Sequence, residues 1–144
     1  MTSLILYFQN NVLQQGYIHD LEVVEASFKG LEEGDTRMLS VALEFAVQDE
    51  NLKKIYLEKD REKLFNHGQD LFERLKDVHG VTHFYFIEPD GTNFVRLHNK
   101  DVYGDKINRV TFEKAKKTRG VGSGLELGKT AFALRVVKPY YSGN

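Results

Sequence analysis

Apolar residues in the first part of the chain recur every three or four positions, which is the spacing of one face of an α-helix. This heptad-like stripe consists of Tyr17, Leu21, Val24, Phe28 and Leu31, preceded by Leu6 and Leu13. The pattern predicts one helix from about residue 3 to about residue 33, with a length of roughly 45 Å. Part of the stripe is expected to face the rest of the domain, and the remainder is available to a second copy of the chain.

Two further helices are predicted, and each begins with an aspartate that is suited to cap it. Gly30 and Gly34 weaken the end of the first helix, and Asp35 is expected to cap the second. The apolar face of that second helix carries Met38, Ala42, Phe45 and Ala46. Asp60 is expected to cap a third helix that ends at His79-Gly80, with an apolar face of Leu64, Gly68, Leu71, Leu75 and Val78.

The period of the apolar residues changes to two from Val81 onward, which predicts β-strands. Strands at 81–87 and 93–98 flank the turn Glu88-Pro89-Asp90-Gly91, and this pattern is typical of a β-hairpin. A short helix is predicted at 112–118, capped by Thr111 and stopped by Gly120, before strands at 122–127 and 130–138. The turn-like sequence Ser142-Gly143-Asn144 predicts a fifth strand that is cut off.

The order of these elements predicts one α+β domain over residues 1–144, with a helical part at 1–80 and a sheet part at 81–144. The composition agrees, because 41% hydrophobic and 28% charged residues are typical of a soluble globular domain. A net charge of −1 does not indicate a nucleic-acid-binding surface. The chain has no cysteine, which excludes disulfides, thiolate catalysis and covalent haem attachment. No metal site is indicated by the spacing of the histidines.

The second strand of the hairpin carries the most informative residues. Phe94, Arg96 and His98 alternate with Val95 and Leu97, so one face of the strand presents an aromatic ring, a guanidinium and an imidazole. One interpretation is the solvated face of an antiparallel sheet. The other is a small polar cavity, since the neighbouring strand is apolar on both faces and a buried arginine needs an anion as its partner.

Several motifs along the chain, taken together, resemble the extracytoplasmic Cache sensor domains, which are PAS-like modules of bacterial chemoreceptors, sensor histidine kinases and cyclic-di-GMP enzymes. These motifs are Thr82-His83-Phe84-Tyr85-Phe86, Pro89-Asp90-Gly91, residues 94–99, residues 103–109, Glu126-Leu127-Gly128 and residues 134–139. The resemblance covers almost the whole chain. It implies a long N-terminal helix packed behind a five-stranded antiparallel sheet, of which four strands are present here. The family's membrane helices and output module are not part of this sequence.

The resemblance also implies a ligand site. In relatives that bind carboxylates, arginine and histidine on the strand after the Asp-Gly turn hold the anion, together with an arginine late in the sheet. Arg96 and His98 match the first two positions, and Arg135 is a looser match for the third. The site expected here therefore contains Arg96 and His98, with Arg135 or Arg109 as a further donor. An apolar wall of Tyr85, Phe86 and Phe94 completes it. In a hairpin with a three-residue loop, His83 and Tyr85 face away from Arg96, and a register change of one residue reverses this orientation.

These observations predict a ligand-sensing domain rather than an enzyme, and no cofactor is expected. The ligand is expected to be a short carboxylate, and the parent protein a membrane-anchored receptor with this domain on the periplasmic side. A weak homodimer through the N-terminal helix is a further expectation. The alternatives are a structural dimerisation domain without a ligand, a sensor of non-covalent haem or an amino acid, and a hydrolase or lyase of unknown type.

Overall fold

The computed structural model describes the backbone of residues 2–128 and 131–141, and the side chains of residues 18–128 and 131–141. It is an α+β structure with a long N-terminal helix and two small antiparallel sheets. The chain divides into two compact units, Met1–Asp35 and Thr36–Asn144. The predicted contributions of Leu6, Leu13 and Tyr17 to the stripe, and the predicted turn at 142–144, lie outside the described side chains and backbone.

The first helix, α1, spans Thr2–Gln48 without a break. The prediction of two helices separated near Gly34 and Asp35 is therefore wrong. A glycine inside a helix costs only about 1 kcal/mol relative to alanine, and this cost does not interrupt a helix of 47 residues. The second helix, α2, is instead the short segment Glu50–Leu57, and the carboxylate of Asp49 caps it by accepting from the amides of Asn51 and Leu52.

The third helix, α3, spans Arg61–His79 and confirms both predicted ends. The Asp60 side chain accepts from the Lys63 amide, and Gly80 ends the helix in the left-handed region at φ 65°. Leu64, Gly68 and Leu75 are buried as predicted, whereas Val78 is exposed. Within the described part of the chain, no helix combines the length and the apolar character that a membrane crossing requires.

The first sheet is the predicted hairpin, with β1 at Tyr85–Ile87 and β2 at Asn93–Arg96. Both strands have their predicted limits beside the turn, at Ile87 and Asn93, and are shorter than predicted at the other end. A bulge between Phe86 and Ile87 shifts the register beside the turn. The segment 99–106, called the strap here, returns along the outer side of β2. The Asn93 amide donates to the Asp105 carbonyl at 2.9 Å, and the Gly104 amide donates to the Asn93 carbonyl at 2.8 Å.

The second sheet pairs β3, Gly122–Leu127, with β4, Phe132–Val137, and α4, Val110–Thr118, packs beside β3. The bounds of β3 are those predicted. The predicted N-cap of α4 is wrong: Arg109 occupies the N-cap position and makes no side-chain cap, while Thr111 lies inside the first turn. The four strands form two separate sheets instead of the single sheet predicted.

The core lies between α3 and the first hairpin, together with the end of α1 and with α2. Its buried apolar residues are Ala46, Leu52, Leu64, Phe72, Leu75, Phe84, Val95 and Leu97. Gly68 permits the close approach of α3 to β2, because a Cβ atom at this position would lie 2.9 Å from the Leu97 side chain. Phe45, which lies on the predicted apolar face with Ala46, is 66% exposed. The residues Leu21, Val24, Phe28 and Leu31 of the helical stripe are also exposed.

We expect Gly122→Ala to destabilise the second sheet, because the new Cβ would lie 2.0 Å from the Thr111 carbonyl oxygen and 2.9 Å from the Ala115 nitrogen. Both are backbone atoms of α4, so helix and strand must separate, at a cost of at least about 2 kcal/mol. The matched control is Gly120→Ala, whose nearest contact would be ordinary at 3.6 Å. Urea unfolding at 25 °C measures both variants, and equal losses of stability would contradict the close packing of α4 on β3.

Candidate functional site

The register of the first hairpin places Tyr85 directly opposite Arg96, and both side chains therefore share one face. Of the two registers left open by the sequence, the structure therefore has the shifted one and not that of a three-residue loop. The connection between β1 and β2 is longer than a three-residue loop, and the bulge beside Ile87 changes the pairing by one residue. As a result, the hairpin gathers Tyr85, Arg96, His83 and His98 into one cluster.

Arg96 has a partner within the protein. Its guanidinium donates to both carboxylate oxygens of Asp105, with Nη1–Oδ1 and Nη2–Oδ2 distances of 2.8 Å and 2.7 Å. It also donates to the Val102 carbonyl at 2.8 Å. The side chain is only 11% exposed, and this fork-to-carboxylate pair fastens the strap to β2. The hydrogen bond from Arg96 lowers the pKa of Asp105 to about 2.

The two imidazoles of the cluster lie against each other and against Tyr85. The ring centroids of His83 and His98 are 4.3 Å apart, and those of Tyr85 and His98 are 4.9 Å apart. Burial, together with the charges of His83 and Arg96, lowers the pKa of His98 to about 4. Burial and the charges of Arg135 and Arg96 lower the pKa of His83 as well. Both imidazoles are therefore neutral at pH 7.

His98 also contacts the backbone of Phe84, whose nitrogen lies 3.4 Å from Nδ1 of the imidazole. The backbone hydrogen bond with Phe84 raises the pKa of His98 and so acts against the larger effect of burial. A neutral imidazole carries one N–H, so His98 offers a donor to an anion without becoming charged.

Arg109 and Arg135, the other two predicted donors, come together around Glu126 at the N-terminus of α4. The carboxylate of Glu126 lies 3.5 Å from Nε of Arg135 and 4.0 Å from Nε of Arg109. It also accepts from the Thr111 amide at 2.6 Å, and therefore caps α4 in place of a local side chain. Arg109 donates further to the Leu127 carbonyl at 3.0 Å, which links the helix start to the end of β3.

Arg135 differs from the other arginines in its hydrogen bonding. Its Nε atom is buried and has no hydrogen-bond partner among the described residues. Its distance to the Glu126 carboxylate, 3.5 Å between Nε and Oε2, is that of an ion pair rather than of a well-formed hydrogen bond. The charge of Arg135, after burial, contributes to the lowered pKa of His83.

Of the three predicted aromatic wall residues, only Tyr85 lies in the imidazole cluster. Phe94 packs edge-on against Tyr56 with ring centroids 5.8 Å apart, and Phe86 lies 6.5 Å from the same ring. Tyr56 donates in turn to Glu88 at 3.0 Å, and burial raises its pKa. Phe86 and Phe94 therefore join α2 to the hairpin instead of lining the predicted site.

The sequence interpretation did not pair Asp105 with Arg96 or Glu126 with Arg135. The chain contains 21 acidic residues, and each partner lies nine residues away, beyond the reach of a local pattern. The motifs Tyr103-Gly104-Asp105 and Glu126-Leu127-Gly128 carried a usable signal, since each places a carboxylate beside a glycine turn. Among the described residues, no group of three or more potential ligands is close enough to hold a metal ion.

A separate cleft of about 360 Å³ lies beside α2, away from the predicted site residues. It is lined by Glu50, Lys53, Lys54, Leu57, Glu58 and Tyr140. It is shallow and open, and the Lys53 ammonium lies 5.4 Å from the Tyr140 ring centroid. None of the predicted donors reaches it.

Comparison of the chain with protein-family models, with curated proteins and with solved structures finds no match. The arguments on function therefore rest on the geometry described above.

We expect the Arg96–Asp105 pair to support folding in a pH-dependent manner. Asp105 titrates at about 2 in the folded protein and near 3.8 when unfolded, so its contribution is present above pH 4 and is lost as pH falls through about 2. Asp105→Asn should lower the free energy of unfolding at pH 6, and its difference from wild type should vanish near pH 2. Urea unfolding at a series of pH values provides the measurement.

Asp101→Asn is the matched control, because it neutralises an exposed carboxylate of the same strap. It should leave stability unchanged at pH 6, whereas Arg96→Ala should reproduce the loss caused by Asp105→Asn. A loss for Asp101→Asn equal to that for Asp105→Asn, or a difference that persists at pH 2, would contradict this role of the pair.

Proposed function

We propose that this chain is the extracytoplasmic ligand-sensing domain of a membrane-anchored signalling receptor, and that it binds a small organic anion, most simply a short carboxylate. The proposal rests chiefly on Arg135, whose buried Nε has no hydrogen-bond partner among the described residues. A buried guanidinium nitrogen without a well-formed hydrogen bond is strongly stabilised by a carboxylate that can accept its proton in a hydrogen bond.

Electrostatics at the imidazole cluster support the same proposal. Burial lowers the pKa of His83 and His98 most, and the charges of Arg135 and Arg96 lower that of His83 further, while Arg96 also contributes at His98. This additional positive potential favours an anion beside the rings. Because both rings are neutral, a bound anion is held by arginine charge and by neutral donors, and binding does not require prior protonation.

The roles of the arginines differ in this proposal. Arg135 and the imidazole N–H of His98 are the donors to the ligand, and the ring of Tyr85 forms the wall beside them. Arg96 and Arg109 act mainly through their charge, because Asp105 and the Leu127 carbonyl already accept their hydrogen bonds. This arrangement modifies the site expected from the sequence, in which Arg96 was the principal donor.

The strap offers a route from this site to the helices. Arg96 holds the strap through Asp105, and the other end of the strap contacts the start of α3. There the Arg61 guanidinium lies 3.5 Å from the Tyr103 ring centroid and donates to the Lys100 carbonyl at 2.8 Å. A bound anion would attract the Arg96 guanidinium and change the strength of its ion pair with Asp105. The strap would then shift, and its contacts with α3 would change.

We expect small carboxylates to bind at Arg135. Acetate, pyruvate, succinate and citrate, tested as sodium salts at matched ionic strength, should include one that raises the melting temperature. At 100 times the dissociation constant the added stability is about 2.7 kcal/mol. The same anion should raise the pKa of His83, measured by NMR, because a nearby negative charge favours the imidazolium.

Arg135→Gln should weaken this binding at least tenfold, whereas Arg74→Gln, which removes an exposed arginine of α3, should not affect it. A wild-type protein whose melting temperature and His83 resonances respond to no carboxylate would contradict the proposed function. Unchanged affinity in Arg135→Gln would show that the anion binds elsewhere. Conversion of any probe to a product would favour the alternative of an enzyme.

A further inference from the structure

The unit formed by residues 1–35 carries an exposed apolar surface on α1. It consists of four residues of the heptad-like stripe, Leu21, Val24, Phe28 and Leu31, and in this section the stripe means these four. These side chains are 58%, 65%, 56% and 69% exposed, respectively. Single exposed apolar residues are ordinary on protein surfaces, but a continuous row of large ones marks an interaction site. The stripe lies outside the proposed ligand site and needs a separate explanation.

The spacing of the stripe identifies the type of partner. Its residues follow one another at intervals of three, four and three, which are the a and d positions of two consecutive heptads. The row runs along about 15 Å of helix axis. Such a narrow seam matches the groove between a and d side chains of another helix, and it is too narrow to cover a sheet face or a broad groove.

The charges along the seam select among helical partners. Asp20 occupies the g position on one edge of the stripe, and Glu25 and Glu32 occupy the e positions on the other. Residues 18–35 contain six acidic side chains and a single basic one, Lys29. Residues at e and g face the partner helix across the seam, so both edges present negative charge to whatever binds there.

A second copy of the chain fits these charges poorly. In a parallel pair, Asp20 would face Glu25 of the other copy across the seam, and like charges in such pairs are destabilising. The next a position after Leu31 is Asp35, which would meet the Asp35 of an in-register copy at the centre of the seam. Repulsion between like charges at both edges and at one end of the stripe therefore disfavours the homodimer expected from the sequence.

We propose that the stripe binds a basic amphipathic helix of another protein, with apolar a and d residues flanked by Lys or Arg. The flanking cations pair with Asp20, Glu25 and Glu32, and a Lys or Arg at the central position opposite Asp35 fixes the register. Interaction with an anionic membrane surface is disfavoured by the same acidic edges. The short seam makes binding weak and sensitive to salt.

Two synthetic helical peptides with Leu at every a and d position test the proposal, one with Lys and one with Glu at e and g. The full chain should bind the Lys peptide, and the affinity should fall at least tenfold between 30 mM and 300 mM salt. The Glu peptide should bind at least tenfold more weakly. In the double variant Glu25→Lys/Glu32→Lys this preference should reverse, as measured by fluorescence anisotropy.

Phe28→Ser should abolish binding of the Lys peptide without changing the circular dichroism, because the side chain is exposed in the free protein. The control Val23→Ser removes a 52% exposed apolar residue from the c position outside the stripe, and should bind normally. Equal binding of both peptides would overturn the proposal. So would self-association at low salt, seen by analytical ultracentrifugation, that Phe28→Ser abolishes, since the second copy would then be the occupant.

Discussion

The ion pair between Arg96 and Asp105 is the interaction on which the structure around the candidate site depends. The hairpin β1–β2 is short, and an isolated pair of strands is only marginally stable in water. The strap supplies further backbone pairing along β2, and the bidentate pair fixes it there. Because Arg96 is mostly buried, its charge needs this carboxylate whether or not a ligand is present.

A carboxylate also holds the second sheet to its neighbouring helix. Glu126 supplies an acceptor to the uncapped start of α4 and balances the charge of Arg109 and Arg135. Each sheet is thus tied to a neighbouring segment by a carboxylate of the protein itself. Burial is the main reason that the pKa values of His83 and His98 are lowered; the charges of Arg135 and Arg96 add to this effect at His83, and those of His83 and Arg96 add to it at His98.

The two proposals place function in different units of the chain. The proposed anion site depends on charges around the two sheets, and the proposed docking surface depends on an apolar seam along α1. Both follow from the same argument: a group without a partner among the described residues, either the Nε–H of Arg135 that lacks a hydrogen-bond acceptor or the uncovered apolar stripe, indicates what would bind there.

The sequence by itself determined the features that depend on neighbouring residues. Asp60 and Gly80 bound α3, the Pro-Asp-Gly turn defines the hairpin, and β3 has its predicted limits, because caps, turns and short-period patterns are local. The continuity of α1 through Gly30 and Gly34 was not predicted. Whether a glycine interrupts a helix depends on how many helical residues lie on both sides of it, and this is not a local property.

Only the tertiary structure decided the composition of the candidate site. The sequence indicated Arg96, His98, Arg109 and Arg135 as donors, but it could not show that Asp105 and Glu126 already neutralise most of them. These pairs join residues nine or seventeen positions apart, on either side of a turn, and the sequence does not single out these carboxylates among the other acidic residues. The face on which Tyr85 lies was likewise set by one bulge, because a shift of one residue reverses every side chain of a strand.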